Sequence, residues 1–382
     1  MIKLSPSRFK SKILLIYCSV VPHDFPPFHR INFVRELSKY INVIFVDLPS
    51  IFRFVPISKL INFYVPLIKT LFRFDYTFVW ELFRFRRFHF LILNFYLLFQ
   101  KYYFNKKIVL YTTSGYFDPI YRYIPYDKSV FDCPDIHEGE FERNKNWINK
   151  FDLVFANTKL VFESIRKYNR KVKMMPSGYR NYKIINFTKE KIPNSVLFLG
   201  GISQRIDYDF LIKVIENLPN VEFYFIGEVY LNKYYVEKKD KARLKKWMKL
   251  LAFSNVHYLG ELSENILESI LPIFKVGIIP YFSKDSFNFY SNPIKLYDYL
   301  SYGIYTISTS LPNVENFTGN FPIYTANSAS EFVINIKRVL EKTEKEIFRY
   351  ENQIMRFLKS ESMENKVSRV LEEINLLFKA RM

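Results

Sequence analysis

The sequence is poor in cysteine and has no spacing that suits a metal site. Its 382 residues include only two cysteines, Cys18 and Cys133, too few for a disulfide framework and typical of a reducing compartment. The five histidines and two cysteines show no ligand spacing, so no metal is predicted. No secretory signal is expected, because the basic residues near the start precede only a short apolar run.

A run long enough to cross a membrane is also missing from residues 51–107. The apolar run at 88–99 (FHFLILNFYLLF) has a dozen residues, whereas a bilayer needs about 20. Residues 51–107 contain ten Lys or Arg, two acids and nineteen aromatic residues. Because membrane interfaces hold cations and bulky rings well, we expect this segment to lie on a membrane surface. The alternative is that its aromatic residues form helix core facing a sheet.

A formal net charge of +19 indicates an anionic partner. The aromatic load that accompanies the cations favours an anionic membrane surface, and no nucleic-acid motif appears, so no nucleic-acid partner is predicted. A non-catalytic nucleic-acid-binding protein is the alternative from another class, with steep salt dependence as its mark. The basic run at 238–246 (KKDKARLKK) is interpreted as a solvated helix face, with contact to anionic lipid or nucleic acid as the alternative.

Apolar runs that alternate with helical patterns predict two α/β domains. The first occupies residues 1–185 and includes the segment 51–107. Residues 186–194 form the linker, and a second domain spans 195–345. Residues 346–382 are helical and could return to the first domain.

The loop after the first strand lies where open α/β sheets usually place ligands. His23, Asp24 and Arg30 in or beside this loop are candidates for contact with an acceptor or a phosphate. Ordinary loop polarity is the alternative explanation.

Residues 288–303 (NFYSNPIKLYDYLSYG) predict a loop that turns into a helix. Ser291 or Asn292 can cap this helix, and Pro293 suits its first position. Lys295 then lies beside the free N–H groups of the helix start, a combination that suits a phosphate, and Asp298 can accept a sugar hydroxyl. The pattern favours a nucleotide-sugar site.

Four motifs of the second half, in this order, resemble those of the GT-B glycosyltransferases. They are LGG at 199–201 with RIDYD at 205–209, NVHYLGE at 255–261, GIIPY at 277–281 and NPIKLYDYL at 292–300. The chain is most similar to bacterial enzymes of exopolysaccharide synthesis, including xanthan-type glucuronosyltransferases, and of teichuronic acid synthesis. The first half matches more loosely, through HDF at 23–25 and FDCPD at 131–135. The resemblance implies an α/β GT-B fold of two Rossmann-like doubly wound domains facing across a cleft.

The resemblance also implies a nucleoside diphosphate sugar, UDP- or GDP-linked, as donor, with no further cofactor. Lys295 would hold the diphosphate with help from the backbone at Ser291 and Asn292, and Asp298 stands where many relatives contact the ribose. The other residues implied for the donor site are Tyr281, Glu261, Gly200, Gly201, Ile202 and Arg205.

Asp135 matches the position of the general base in the xanthan-type enzymes. Direct displacement at the anomeric carbon needs such a carboxylate and inverts the configuration. Tyr290 stands where the commoner retaining branch carries Glu, which weakens a retaining assignment without removing it as the nearer alternative. A helix cap is the alternative role for Asp135, and Asp132 is interpreted as a backbone-binding residue, with the role of base as its alternative.

Together these features predict an inverting, metal-independent glycosyltransferase of cell-surface polysaccharide synthesis. It would act on a lipid-linked or glycan acceptor as a cytoplasmic protein, peripheral on the inner face of the cytoplasmic membrane. The pair Asp207 and Asp209 looks like a metal motif but falls at a helix start, where acids are common.

Overall fold

A computed structural model describes residues 12–19, 29–47, 78–81, 86–113, 124–133, 136, 141, 145–179, 190–231 and 238–379. The chain divides into two compact units. One comprises Met1–Arg180 with Glu361–Met382, and the other is Asn181–Ser360.

The first unit is built on a parallel sheet in the order β3-β2-β1-β4-β5-β6-β7. Its central strands are mostly buried and rich in apolar residues, as expected where helices cover both faces of a sheet. The strands are β1 (Ile13–Ser19), β2 (Asn42–Asp47), β3 (Phe78–Glu81), β4 (Lys107–Thr112), β5 (Lys128–Cys133), β6 (Leu153–Ala156) and β7 (Val172–Met174). The helices between them are α1 (His29–Leu37), α2 (Arg86–Tyr102) and α3 (Lys159–Arg166).

The second unit repeats this plan with a parallel sheet in the order β10-β9-β8-β11-β12-β13. Its strands are β8 (Ser195–Leu199), β9 (Glu222–Ile226), β10 (Val256–Tyr258), β11 (Val276–Ile279), β12 (Tyr305–Thr309) and β13 (Ile323–Ala326). Its helices are α4 (Tyr208–Glu216), α5 (Lys238–Leu251), α6 (Glu264–Ile270), α7 (Ser286–Tyr290), α8 (Ile294–Ser301), α9 (Pro312–Glu315), α10 (Ala329–Leu340) and α11 (Glu351–Ser360). Short 3-10 helices occupy Leu271–Ile273 and Glu344–Tyr350.

In both units the strand order runs outward from the first strand and then resumes on its other side. This is the doubly wound Rossmann order, so the predicted fold class is confirmed. Strand β3 was not foreseen in the aromatic segment 51–107. In the described parts of the chain, no helix is both long and apolar enough to span a membrane.

The last helix, α12 (Met363–Lys379), belongs to the first unit. Its apolar side chains, including Val367 and Leu371, join the same buried core as Phe33 of α1 and Tyr17 of β1. The rings of Tyr17, Phe45 and Tyr111 stack within this core, with centroids 5.4 and 5.5 Å apart. The C-terminal segment therefore completes the hydrophobic core of the N-terminal one.

Candidate functional site

The site of interest lies where the strand order of the second unit reverses, between β8 and β11. In doubly wound sheets ligands bind outside the carboxyl ends of the strands at this point. The loops that follow the two strands are joined here, because the Asp207 N–H donates to the Pro280 carbonyl at 2.9 Å and Ile206 pairs with Tyr281. Helix α8 begins beside them.

Helix α8 is anchored to the sheet by Tyr299, which is fully buried. Its hydroxyl accepts from the Leu199 N–H at 3.0 Å and lies 3.2 Å from the Ile278 carbonyl. A Cβ at Gly277 would lie 2.7 Å from the Tyr299 ring, so the glycine in β11 makes room for it. These contacts fix the start of α8 against the ends of β8 and β11.

The structure corrects the predicted start of this helix. The N-cap residue is Pro293, without a side-chain cap, so the prediction of Ser291 or Asn292 as cap is wrong. A short unforeseen helix, α7, comes first, and the Ser291 N–H donates to the Phe287 carbonyl at 3.0 Å. The Asn292 amide donates to the Tyr297 hydroxyl at 2.6 Å. The N–H group of Ser291 therefore already has an acceptor. The Ser291 hydroxyl is the group that faces the site residues.

Lys295 lies in the first turn of α8 and is 8% exposed. Its Nζ has no hydrogen-bond acceptor among the described residues and lies 3.6 Å from the Phe198 ring centroid. A Cβ at Gly200 would stand 3.5 Å from this Nζ, so the glycine turn directly faces the ammonium. The N–H groups of Ile294 and Lys295 make no hydrogen bond among the described residues either.

Burial lowers the pKa of Lys295, and the nearby Tyr281 opposes this shift only in part. Burial alone would raise the pKa of Tyr281, but the charges of Lys295 and Arg205 outweigh it and lower that pKa. The two cations therefore lie close together, and the charge of the Asp298 carboxylate raises the pKa of Lys295 less than burial lowers it. A buried charge without a partner is costly, so this arrangement suits an anionic ligand.

Arg205 is held by four side chains. Its Nε donates to Asn288 Oδ1 at 2.8 Å and its Nη2 donates to Ser291 Oγ at 2.6 Å. The guanidinium lies between two rings, 4.3 Å from the Tyr281 centroid and 4.6 Å from that of Phe287. Stacking and directed hydrogen bonds fix the plane of the guanidinium, as oriented recognition of a phosphate requires.

Asn288 was not singled out from the sequence, although it is fully buried and organises the Arg205 side. Its Nδ2 donates to the carbonyls of Arg205 and Phe282, at 3.2 and 3.0 Å. Phe198 and Tyr299 were missed as well. Their roles depend on contacts across the sheet, for which the only local signal was Gly277 inside a strand.

The glycine turn after β8 forms one side of the site and is closely packed and hydrogen-bonded. Gly200 has a φ of +115°, and a Cβ on Gly227 would lie 2.3 Å from the Gly200 carbonyl oxygen. The N–H groups of Gly200 and Ile202 donate to Ile226 and Glu228 carbonyls, both at 2.8 Å. A Cβ on Gly201 would meet the Tyr230 ring at 2.5 Å. Ile202 is fully buried, so it shapes the turn from behind.

The two carboxylates implied for the donor site differ in their surroundings: Glu261 acts on Tyr258, whereas Asp298 acts on Lys295. Glu261 is exposed and follows β10. Its carboxylate and that of Glu228 lie close enough to Tyr258 to influence the pKa of its hydroxyl. Burial, and then these two carboxylates, raise the pKa of Tyr258, whose hydroxyl donates to the Gly227 carbonyl at 3.0 Å. Asp298 is half-buried on α8, one turn after Lys295.

Three predicted residues of the first unit, His23, Asp24 and Asp135, lie outside the described residues. Arg30 is in α1, but its side chain is not among those described. Tyr290 ends α7 and is half-buried.

Asp132 is a buried carboxylate with two charged or polar side-chain partners. It accepts from Lys366 Nζ at 2.9 Å and from the Tyr111 hydroxyl at 2.7 Å, and all three residues are buried. Burial raises the pKa of Tyr111 well above its ordinary value, and the Asp132 charge acts in the same direction. Tyr111 therefore stays a hydrogen donor, and Asp132 is fully engaged in holding α12.

The acidic pair at the start of α4 has structural partners. Asp207 caps α4 by accepting from the Phe210 N–H at 3.1 Å, and Asp209 pairs with Lys246 at 2.5 Å. Within the described ranges no group of three His, Cys, Asp or Glu side chains could hold a metal ion.

Neither a protein-family model nor a curated protein sequence matches this chain. Several solved structures, however, match this chain in fold. A glycosyltransferase from Rickettsia africae ESF-5 is 13% identical with a TM-score of 0.64, covering 96% of this chain and 99% of that one. Sucrose-phosphate synthase from Thermosynechococcus elongatus is 12% identical with a TM-score of 0.68, over 97% and 100% of the two chains. HepE from Anabaena, in complex with UDP, is 11% identical with a TM-score of 0.65, over 95% and 99%. With both Rossmann sheets matched over nearly its whole length, the chain has the GT-B fold.

Proposed function

We propose that this protein is a glycosyltransferase that uses a nucleoside diphosphate sugar, UDP- or GDP-linked. The observation that carries the proposal is the buried Lys295 ammonium, which has no hydrogen-bond acceptor among the described residues and lies over the same Tyr281 ring as Arg205 at the switch point of the second sheet. A diphosphate would supply the missing counter-charge through charge-assisted hydrogen bonds. Structures of the similar HepE contain UDP, and one contains UDP and glucose, which supports a donor of this class.

The proposed reaction is a direct displacement with inversion. The Asp135 carboxylate takes the proton of the acceptor hydroxyl, whose oxygen attacks the anomeric carbon while the bond to the diphosphate oxygen breaks. Lys295, Arg205 and the N–H groups at the start of α8 stabilise the charge that develops on the leaving diphosphate. Because these groups provide the positive charge, the mechanism requires no metal and no further cofactor.

The proposed acceptor is a lipid-linked glycan of cell-surface polysaccharide synthesis, as in the exopolysaccharide and teichuronic acid enzymes that the motifs resemble. His23, Asp24 and Arg30 are its proposed contacts. The cations and rings of residues 51–107 support a peripheral position on the inner face of the cytoplasmic membrane.

The test is a transfer assay with purified protein, a panel of nucleotide sugars and lipid-linked acceptors extracted from membranes. We expect release of a nucleoside diphosphate and a product anomer opposite to that of the donor. Asp135→Asn should abolish transfer and leave donor binding nearly intact, whereas Glu138→Gln, a nearby carboxylate, should leave turnover largely intact. Retained turnover in Asp135→Asn contradicts the base assignment, and an unchanged anomer indicates the retaining alternative. Failure to bind any nucleotide sugar contradicts the proposed function itself.

A further inference from the structure

Helix α2 has two apolar faces, and within the described part of the chain one is buried and the other exposed. Leu93 and Leu97 point inward and are fully buried. On the opposite face Phe95 is 74% exposed and Tyr102 is 77% exposed, and Tyr103, just past the helix, is 74% exposed. Leu98 and Phe99 lie between them at helical spacing and are also exposed. We call Phe95, Leu98, Phe99, Tyr102, Tyr103 and Phe104 the outer aromatic surface.

The rings at the end of this surface are ordered by one another. Phe99 and Tyr103 stack with centroids 5.0 Å apart and planes 10° apart. Phe104 meets Tyr103 edge-on at 5.0 Å. Scattered single apolar side chains are ordinary on a protein surface, but a contiguous exposed group of this kind marks an interaction site.

The charge of the segment identifies its partner. Residues 86–107 contain five Lys or Arg and no Asp or Glu. Of these, Lys101 in the last turn of α2 pairs with Asp127 at 2.7 Å, Lys106 is buried, and Lys107 at the start of β4 is exposed. Exposed rings beside a segment of one positive sign are complementary to anionic headgroups above an acyl layer.

The same charge argues against a second copy of this chain as the partner. A two-fold symmetric contact places the same patch of both protomers face to face. Two such segments would bring cations of both protomers together without an acid from either segment, and like-charge juxtaposition disfavours association.

We propose that the outer aromatic surface seats the first unit on an anionic phospholipid membrane, with its rings at the boundary between headgroups and acyl chains. This gives the proposed membrane position a defined surface. It depends on the first unit alone and would stand if the nucleotide site bound a different anion.

The test is co-sedimentation of the full chain with phosphatidylcholine vesicles that contain or lack phosphatidylglycerol. We expect binding that requires phosphatidylglycerol and weakens with salt. The triple variant Phe95→Ser, Tyr102→Ser, Tyr103→Ser should bind at least about tenfold more weakly, because the inserted apolar area is lost. A matched variant of two exposed residues of the second unit, Ile266→Ser with Ile334→Ser, should bind like the wild type.

The triple variant should remain folded, because all three side chains are exposed. Circular dichroism and nucleotide affinity measure whether it does. Undiminished vesicle binding by the folded triple variant overturns the proposal, as does an equal loss in the matched variant. A wild-type dimer that dissociates in the triple variant, without vesicle binding by either protein, would assign the surface to a second copy instead.

Discussion

Two buried lysines, Lys366 of the first unit and Lys295 of the second, have opposite surroundings. Lys366 of the first unit is 4% exposed, and its Nζ lies 2.9 Å from the Asp132 carboxylate, which also accepts from Tyr111. Lys295 of the second unit is 8% exposed, and its Nζ faces aromatic rings and a glycine turn without a hydrogen-bond acceptor among the described residues.

This difference separates a structural charge from a binding charge. A buried cation beside a buried carboxylate is balanced by the protein itself and ties α12 to β5. A buried cation that lacks an anion carries an energetic cost in the empty protein, which a bound anion relieves. Burial alone would not distinguish them, because the identity of the nearest acceptor decides the role.

The largest expected effect is the loss of the balanced pair. Lys366→Met leaves the Asp132 charge buried without its cation, which should reduce the free energy of unfolding of the first unit by about 3–5 kcal/mol. Hydrogen exchange can report each unit separately. The double variant Lys366→Met, Asp132→Leu should recover most of the loss. Wild-type protection of the first unit in Lys366→Met would show that the pair is not structural.

The second effect is a pH dependence of the free energy of unfolding, which arises from the titration of Lys295. Because the folded pKa of Lys295 is lowered, the native state loses its proton below the unfolded value of about 10.4. Between the two pKa values the unfolded state binds more protons, so stability relative to Lys295→Met should rise with pH, by at most about 1.4 kcal/mol per pH unit. Nucleotide affinity should fall over the same range.

Unfolding curves from neutral pH to about pH 10, near the unfolded lysine value, measure this difference. The comparison belongs in a Tyr281→Phe background, because the lowered pKa of Tyr281 acts in the same direction. A stability difference that does not change with pH would mean that Lys295 titrates normally.

A smaller effect concerns Asn288, which orients Arg205. Asn288→Ala should weaken nucleotide binding roughly fivefold, corresponding to about 1 kcal/mol for the hydrogen bonds that set the guanidinium. Asn255→Ala is the matched control, since this buried amide donates to the carbonyls of Leu218 and Val221 instead of orienting Arg205. Equal loss of affinity in both variants would reduce Asn288 to a general structural role.

The smallest expected effect is a change in the stability of the second unit in Lys295→Met. Its sign is opposite to that expected for the first unit in Lys366→Met. Lys295→Met removes an unbalanced buried charge, so the second unit of the empty protein should be as stable as the wild type or more stable by up to about 1 kcal/mol. Hydrogen exchange of β8 and β11 measures it. A large destabilisation would show that Lys295 has a structural partner after all.

The fold and part of the site were readable from the sequence because their signals are local. Buried strands are continuous apolar runs, such as 195–199, and Gly200 marks the turn that follows. Lys295 near a helix start beside a proline was also a local pattern, although the short helix α7 changed which residue caps it.

The pairings that give the charges their roles could not be read in this way. Asp132 and Lys366 are brought together only when the last helix joins the first core, and Arg205 meets Asn288 across a separation of 83 residues. A charge pattern along the chain shows which residues are charged, but only packing shows which of them remain unbalanced.

The most direct test of this comparison is the affinity of a nucleoside diphosphate for the two lysine variants, measured by titration calorimetry with whichever of UDP or GDP binds the wild type. Lys295→Met should bind about 10- to 100-fold more weakly, because charge-assisted hydrogen bonds to the diphosphate are lost. Lys366→Met, measured where it remains folded, should bind like the wild type. Wild-type affinity in Lys295→Met, or an equal loss in both variants, would contradict the assignment of Lys295 as the anion-binding charge.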